Sequence, residues 1–279
     1  MATAAKHEIR TIDPDEEQAF MDAIDRWIER EVEPVIMHHD HNDIWPEKLV
    51  GQMQEMGLFG ATISQEYGGL GLPATTYAKI VAKIASHWMA VTGIFNSHLI
   101  MAAAVERFGT DEQKAEWLPK FASGEIRGGL GLTEPNAGTD LQAIRTTAVR
   151  DGDDYVINGT KTWISNAING SCFALLVKTD PKAEPRYKGM SLFIAPKKEG
   201  FTVGKKFQKL GYKAIDSAEL VFDNYRLPAK NLIGGVEGEG FFQATGGLEL
   251  GRINVAARGV GLADGALRLA TEYAQTRQT

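Results

Sequence analysis

The apolar residues of this chain recur at two different periods, and the period changes near residue 127. Before that point the spacing is helical. Phe20, Ile24, Trp27, Ile28, Val32 and Val35 fall on one face of a helix. Asp13 and Pro14 ahead of them combine a capping side chain with a proline at the first helical position. A second helix is expected from Pro46 to Gly57, with Leu49, Val50, Met53 and Met56 inward. A third segment runs from about Thr75 to Phe108, and Gly93 and Asn96 in it predict a break between two helices. Thr110 and Gln113 have the spacing of a capping box, opening a helix that carries Trp117 and Leu118.

After residue 127 the runs are short and β-like: 147–150, 155–157, 160–164, 173–177, 191–195, 201–203 and 218–222. Turn pairs separate them, namely Asp151-Gly152, Asn158-Gly159, Asp180-Pro181 and Glu199-Gly200. Asn158-Gly159, set between two β runs, predicts a hairpin. Strands this close, with no helices between them, predict an antiparallel sheet or barrel. Beyond Pro228 and a glycine-rich stretch ending at Gly240, helical spacing returns. Ile253, Ala256, Ala257, Val260, Ala263, Leu267 and Ala270 keep a period near 3.6. Gly259, Gly261 and Gly265 predict close packing against another helix. A lone final helix leaves much surface uncovered, so either a partner chain covers it or the chain is cut short. The fold class is multidomain: a helical unit over 1–127, a β unit over 128–238 and the start of a helical bundle over 239–279.

Composition narrows the function classes. At 279 residues the chain can form two or three packed units. A net charge of −6 argues against a nucleic-acid partner, whose footprint is basic. The lone cysteine, Cys172, precedes an apolar run and is expected to be a buried strand residue. The N-terminal stretch from Met1 resembles neither a signal nor a transit peptide, and no apolar run approaches bilayer-spanning length. The expected compartment is the cytoplasm, or the mitochondrial matrix for a processed eukaryotic chain. His38, His39, Asp40 and His41 have no second ligand set, so metal binding is not expected there. The glycines at 69 and 71 follow no β-branched strand, so that stretch is a loop and not a dinucleotide fingerprint.

Candidate chemistry concentrates at residues 128–143 and 161–166. Gly128, Gly129, Gly131 and Gly138 permit close backbone approach, and Thr133 and Thr139 flank a Glu-Pro-Asn turn. Exposed N–H groups and hydroxyls at a strand end suit a flat, polar-edged or phosphate-bearing ligand. By composition alone, an ordinary loop is the favoured reading. Trp163 and Ser165 share a strand face by alternation, while Trp163 alone would read as sheet core.

The segment from Gly131 to Ala143, followed by Lys161, Thr162, Trp163, Ile164, Ser165 and Asn166, resembles the signature of the acyl-CoA dehydrogenase family. Lys209 to Gly211, Asn231 to Gly234 and the run around Arg252 extend the similarity to the whole chain. The resemblance implies a helical domain, a β domain and a four-helix bundle of which only the first helix is present, roughly from Gly240 to Gln275. It implies FAD as cofactor, acyl-CoA as substrate, an electron-transfer flavoprotein as acceptor and a homo-oligomer built as a dimer of dimers. Carried over by position, Leu130, Leu132, Thr133, Gly138 and Thr139 line the flavin, with Trp163, Ile164 and Ser165 as its second contact. Thr139, Glu249 and Arg252 match the acyl-CoA side, and Arg277 and Thr279 match a piece that reaches a neighbouring subunit's FAD. Arg277 read alone is an ordinary helix-end cation.

The family's reaction is α,β-desaturation, in which a carboxylate takes the α-proton while the β-hydrogen leaves as hydride to the flavin. That carboxylate is not expected in this chain: Gly251 stands where a minority of relatives carry it, and Glu249 lies ~200° away round a helix. The chain alone is therefore expected to be inactive. An oxygen-using relative and a non-catalytic subunit of a two-chain flavoprotein are the alternatives.

Overall fold

The structure, a computed structural model, describes residues 10–278. The expectations for the stretch from Met1 and for Thr279 lie outside the described residues. Helix α1 (Pro14–Trp27) is capped by the Asp13 carboxylate, which accepts from the N–H groups of Asp15 and Glu16. It passes through a π turn and a 3-10 turn into α2 (Ile36–Asn42), which carries the histidines. Ile24, Trp27, Ile28 and Val32 of the expected stripe are buried, with Phe20 and Val35 half-buried at its edges. Helix α3 (Glu47–Glu55) buries Leu49, Val50 and Met53. Helix α5 (Asp111–Ala122) opens on the complete capping box of Thr110 and Gln113.

Helix α4 (Ala74–Phe108) is the axis of the helical unit. It does not break at Gly93 or Asn96; its one non-helical residue is Trp88, at φ −152° and ψ 98°. Gly93 serves a different purpose, because a Cβ there would fall 1.5 Å from the Tyr212 hydroxyl. Contrary to the sequence expectation, α4 is long and apolar enough to cross a bilayer, but 83% of its most apolar window is covered by neighbouring elements.

Seven strands follow: β1 (Gly128–Gly131), β2 (Thr147–Asp151), β3 (Asp154–Ser165), β4 (Cys172–Lys178), β5 (Met190–Pro196), β6 (Phe201–Lys206) and β7 (Ser217–Pro228). Their order is β1-β4-β2-β3-β7-β6, with β5 on β4. The sheet is mixed: four pairings are antiparallel, while β1 and β2 each meet β4 in parallel. Asn158-Gly159 makes no hairpin. The runs on either side of it form one strand, β3, because both pair with β7, and the dipeptide sits at a bulge between Ile157 and Gly159. Gly159, at φ 148°, lets the strand press on Thr146, whose Oγ1 lies 2.5 Å from where a Cβ would be. The hairpin turn is instead Gly152-Asp153, between β2 and β3, with Gly152 at φ 64°. Tyr155, Phe173, Phe193, Phe222 and Tyr225 fill the sheet's own core. Cys172 is a buried strand residue, and burial pushes its thiol pKa up.

Helix α6 (Gly240–Thr276) lies along α4, and the apolar residues that gave its period are not its buried face. Ile253, Ala256, Val260, Ala263, Leu267 and Ala270 are exposed, and of the periodic set only Ala257 is buried. The buried face is Gly247, Gly251, Asn254, Ala257, Gly261 and Gly265. Backbone contact selects that face: a Cβ would stand 2.2 Å from Ala82 O at Gly261 and 2.1 Å from Ser86 O at Gly265. Periodicity identified the element, and the close packing expected of its glycines is met at Gly261 and Gly265.

Gly261→Ala is therefore expected to lower stability despite the gain of roughly 1 kcal/mol in helix propensity, because the two helices must separate. Gly259→Ala, where nothing lies within 4 Å, is expected to raise stability by about 0.5–1 kcal/mol. Denaturant midpoints of the two variants test the contrast. A second expectation concerns His98, which is fully buried with Nε2 3.0 Å from Phe121 O, and whose pKa burial lowers to about 4. The unfolded chain takes up this proton near pH 6.5 and the native state does not. Stability from this group is thus complete above pH 6.5 and falls by about 2 kcal/mol on going down to pH 5. His98→Gln should flatten that slope in pH-dependent unfolding.

Candidate functional site

The two segments singled out by sequence meet at the end of β1. Past Gly131 the chain makes a tight turn over Pro135 and Asn136, closed by Glu134 N–H to Ala137 O at 2.8 Å and Ala137 N–H to Glu134 O at 3.1 Å. Thr162 N–H donates to Thr133 O at 2.8 Å, which lays this loop against β3. Lys161 Nζ, fully buried, donates to the Glu134 carboxylate at 2.8 Å and to Leu132 O at 3.1 Å. Glu134 also accepts from the N–H groups of Arg145 and Thr146, at 2.6 and 3.0 Å. Burial pushes the Glu134 carboxyl up, but the Lys161 charge and these hydrogen bonds outweigh it and hold it below the usual carboxylate range. Burial brings the Lys161 ammonium down to about 8 against the pull of Glu134.

Sequence reasoning missed this pair, although a signal was present. Lys161 has the parity of the inward residues Tyr155 and Ile157, and an inward cation needs a buried partner. Sequence reasoning named Asn166 in the motif but gave it no role; its Nδ2 donates to Ile94 O on α4 at 2.8 Å and to Gly128 O on β1 at 2.9 Å. Asp216 takes the N–H groups of Ile168 and Asn169, at 2.8 and 3.3 Å, and fixes the turn after β3.

Leu132 is buried, and Leu130, Thr133 and Ser165 are half-buried. The Thr133 and Ser165 hydroxyls take part in none of the side-chain hydrogen bonds among the described residues. A register shift between Lys161 and Ile164 puts Trp163 in the left-handed region, at φ 58°. Its ring is 55% exposed and stacks on Phe207 at 4.1 Å between centroids. Ile164 points into the sheet core, leaving only its backbone for a ligand. Gly138 and Thr139 are exposed on the loop. Arg277 is exposed at the end of α6, apart from this group.

A second feature lies between α4 and α6. Ile100, Leu248, Val255 and Ala256 wall an apolar cleft that Arg252 and Asn96 also line. Glu249 does not share it. It faces the other flank of α6, where it pairs with Arg107 at 2.9 Å in a depression rich in charged groups. Glu249 and Arg252, grouped by sequence, are thus held on different sides of one helix.

A helical unit, a mixed sheet whose β1 and β3 ends form a loop-built platform, and a long helix beside an apolar cleft define a three-part architecture. Known proteins share it. The family descriptions "Acyl-CoA dehydrogenase, N-terminal domain", "middle domain" and "C-terminal domain" match residues 14–125, 129–225 and 238–279. The chain belongs to the acyl-CoA dehydrogenase family. It is 38% identical over 265 residues to a short-chain-specific acyl-CoA dehydrogenase of Clostridium acetobutylicum, covering 94% of this chain and 69% of that protein. It is 39% identical over 249 residues to the (2S)-methylsuccinyl-CoA dehydrogenase of Cereibacter sphaeroides, covering 86% of this chain but 45% of that one. The structure of butyryl-CoA dehydrogenase from Megasphaera elsdenii superposes with a TM-score of 0.91 at 32% identity, covering 97% of this chain and 71% of that chain.

Removing the charge of Lys161 strands the Glu134 carboxylate in the interior. Lys161→Met is expected to cost about 3–5 kcal/mol. Combined with Glu134→Gln in a double-mutant cycle, it should show a coupling of about 1–3 kcal/mol in chemical denaturation. Strictly additive losses would mean the two do not act as a unit.

Proposed function

We propose that this protein takes part in FAD-dependent α,β-dehydrogenation of an acyl-CoA thioester. The observation that carries the reading is the juxtaposition of the two signature segments, loop 132–143 and the end of β3, through Thr162–Thr133 and Lys161–Glu134. The residues fit a flavin: an exposed indole backed by Phe207, two half-buried hydroxyls and an aliphatic wall suit a flat ring with a polar edge. FAD, when bound, supplies the acceptor for the β-hydride. The chain's own groups bind and orient. Leu130, Leu132 and Trp163 offer apolar contact, and the backbone of Ile164 adds a polar one. Thr133, Thr139 and Ser165 offer hydroxyls, and Gly138 leaves room for close approach.

On the substrate side, the walls of the α4–α6 cleft exclude water from the acyl group, and Arg252 supplies positive charge beside it. No carboxylate among the described residues lines that cleft, and Glu249 is engaged by Arg107 on the opposite flank, so the role of base is not given to Glu249. An electron-transfer flavoprotein as acceptor, and a homo-oligomer in which Arg277 and Thr279 approach a neighbour's FAD, extend the proposal on the strength of the family resemblance.

Titration of the purified protein with FAD, followed by flavin fluorescence, and then with butyryl-CoA by calorimetry, tests this reading. Both are expected to bind. Trp163→Ala should weaken FAD by about three- to tenfold, the worth of one aromatic contact. Arg252→Ala should weaken butyryl-CoA. A folded protein that binds neither ligand overturns the reading.

A further inference from the structure

The cleft beside α6 holds one group that an acyl chain of carbon and hydrogen alone would leave unused. Asn96, 5% exposed, forms part of its wall. The Tyr77 hydroxyl donates to Asn96 Oδ1 at 3.4 Å and accepts from Asn254 Nδ2 at 2.8 Å. Tyr77 and Asn254 are fully buried between α4 and α6. Three polar side chains in line inside an otherwise apolar interface carry a desolvation cost. Asn254 Oδ1 has no partner among the described residues, which adds to that cost.

The direction of the network decides what it offers. The carbonyl end of Asn96 is turned to Tyr77, so the amide N–H2 is the group left for the cleft, and it donates to nothing among the described residues. Among the described residues Arg252 is the one charged side chain in the lining, and it too only donates. The remaining walls are aliphatic. Among the described residues, the side chains of the cleft offer two sets of donors and no acceptor, which is complementary to a ligand that brings the acceptor itself.

We propose that the cleft selects an acyl-CoA whose acyl group carries an oxygen acceptor beyond the thioester, best satisfied by a carboxylate, and that Asn96 reads that oxygen. The inference rests on the acyl-CoA reading above and adds the class of acyl group. Asn96 determines specificity in it and has no part in moving protons or electrons. Tyr77 and Asn254 are positioning residues that fix which edge of the amide faces the ligand.

Glutaryl-CoA and pentanoyl-CoA have the same acyl length and differ at the terminal carbon, so calorimetric affinities of the full-length protein for the two isolate the acceptor. Glutaryl-CoA is expected to bind about tenfold more tightly, the worth of a hydrogen bond to a charged group. Asn96→Leu should reverse the order. Asn96→Asp keeps the shape and the contact to Tyr77 but removes the donors, and should lose glutaryl-CoA while keeping pentanoyl-CoA, even if the leucine variant fails to fold. Equal or tighter binding of pentanoyl-CoA by the unmodified protein overturns this inference alone, as does an equal loss of both ligands in the variants. Binding of neither thioester by folded protein overturns the acyl-CoA reading and this inference with it.

Discussion

The buried ion pair between Glu134 and Lys161 is the constraint on which the rest of the site depends. Each charge is costly to remove from water, and neither is tolerable alone in the interior. Together, with two backbone N–H groups on the carboxylate and the Leu132 carbonyl on the ammonium, they are nearly saturated. The loop after β1 therefore cannot lift off β3 without separating opposite charges in a low-dielectric region. That clamp sets the height of Thr133 against Thr162. It also holds the irregular stretch between Lys161 and Ile164, in which Trp163 takes a backbone conformation that a bulky side chain disfavours. Stacking on Phe207 keeps the ring at the surface, where it is available to a flat ligand.

Helix α4 ties this platform to the cleft. The carbonyl of Ile94 accepts from Asn166 at the end of β3, and two residues later Asn96 lines the cleft. One turn of helix thus refers both sites to a common frame. The other wall of the cleft comes from α6, held at backbone distance by its glycines. The same closeness rotates α6 so that Arg252 and Val255 border the cleft while Glu249 turns to Arg107. Small residues on the buried face thus decide which polar residues border the cleft.

Much of this was legible in sequence wherever a local rule and the tertiary environment agreed. The Asp13 cap, the Thr110 box, the strand segments and Cys172 as a core residue all follow from local chemistry that the fold leaves undisturbed. The failures share one cause: a partner distant in sequence changed the meaning of a local signal. Asn158-Gly159 is a hairpin signal only if its flanks pair with each other, and here both pair with β7. Gly93 marks a helix break unless something occupies the space of its missing side chain, and Tyr212 does. The apolar residues of α6 give its period but not its packed face, which the glycines occupy. The signature residues were visible as a pattern, but the reason they sit together was not. Glu134 and Lys161 are 27 residues apart, and nothing in local spacing joins them.

The architecture separates two tasks that sequence alone presents as one run of motifs. The platform of Leu132, Thr133, Trp163 and Ser165 is fixed by saturated buried electrostatics, and its geometry does not depend on what fills the cleft. The cleft is bounded by side chains of two helices and tuned by a short polar relay through Tyr77. The link between them is a backbone carbonyl, that of Ile94, which any residue would supply. Side chains at Asn96, Leu248 or Val255 can therefore change without disturbing the platform, whereas a change at Glu134 or Lys161 propagates through the sheet. On the proposed function, a fold arranged in this way can keep one chemistry constant while the acyl group varies, and the place to read that choice is the wall of the cleft.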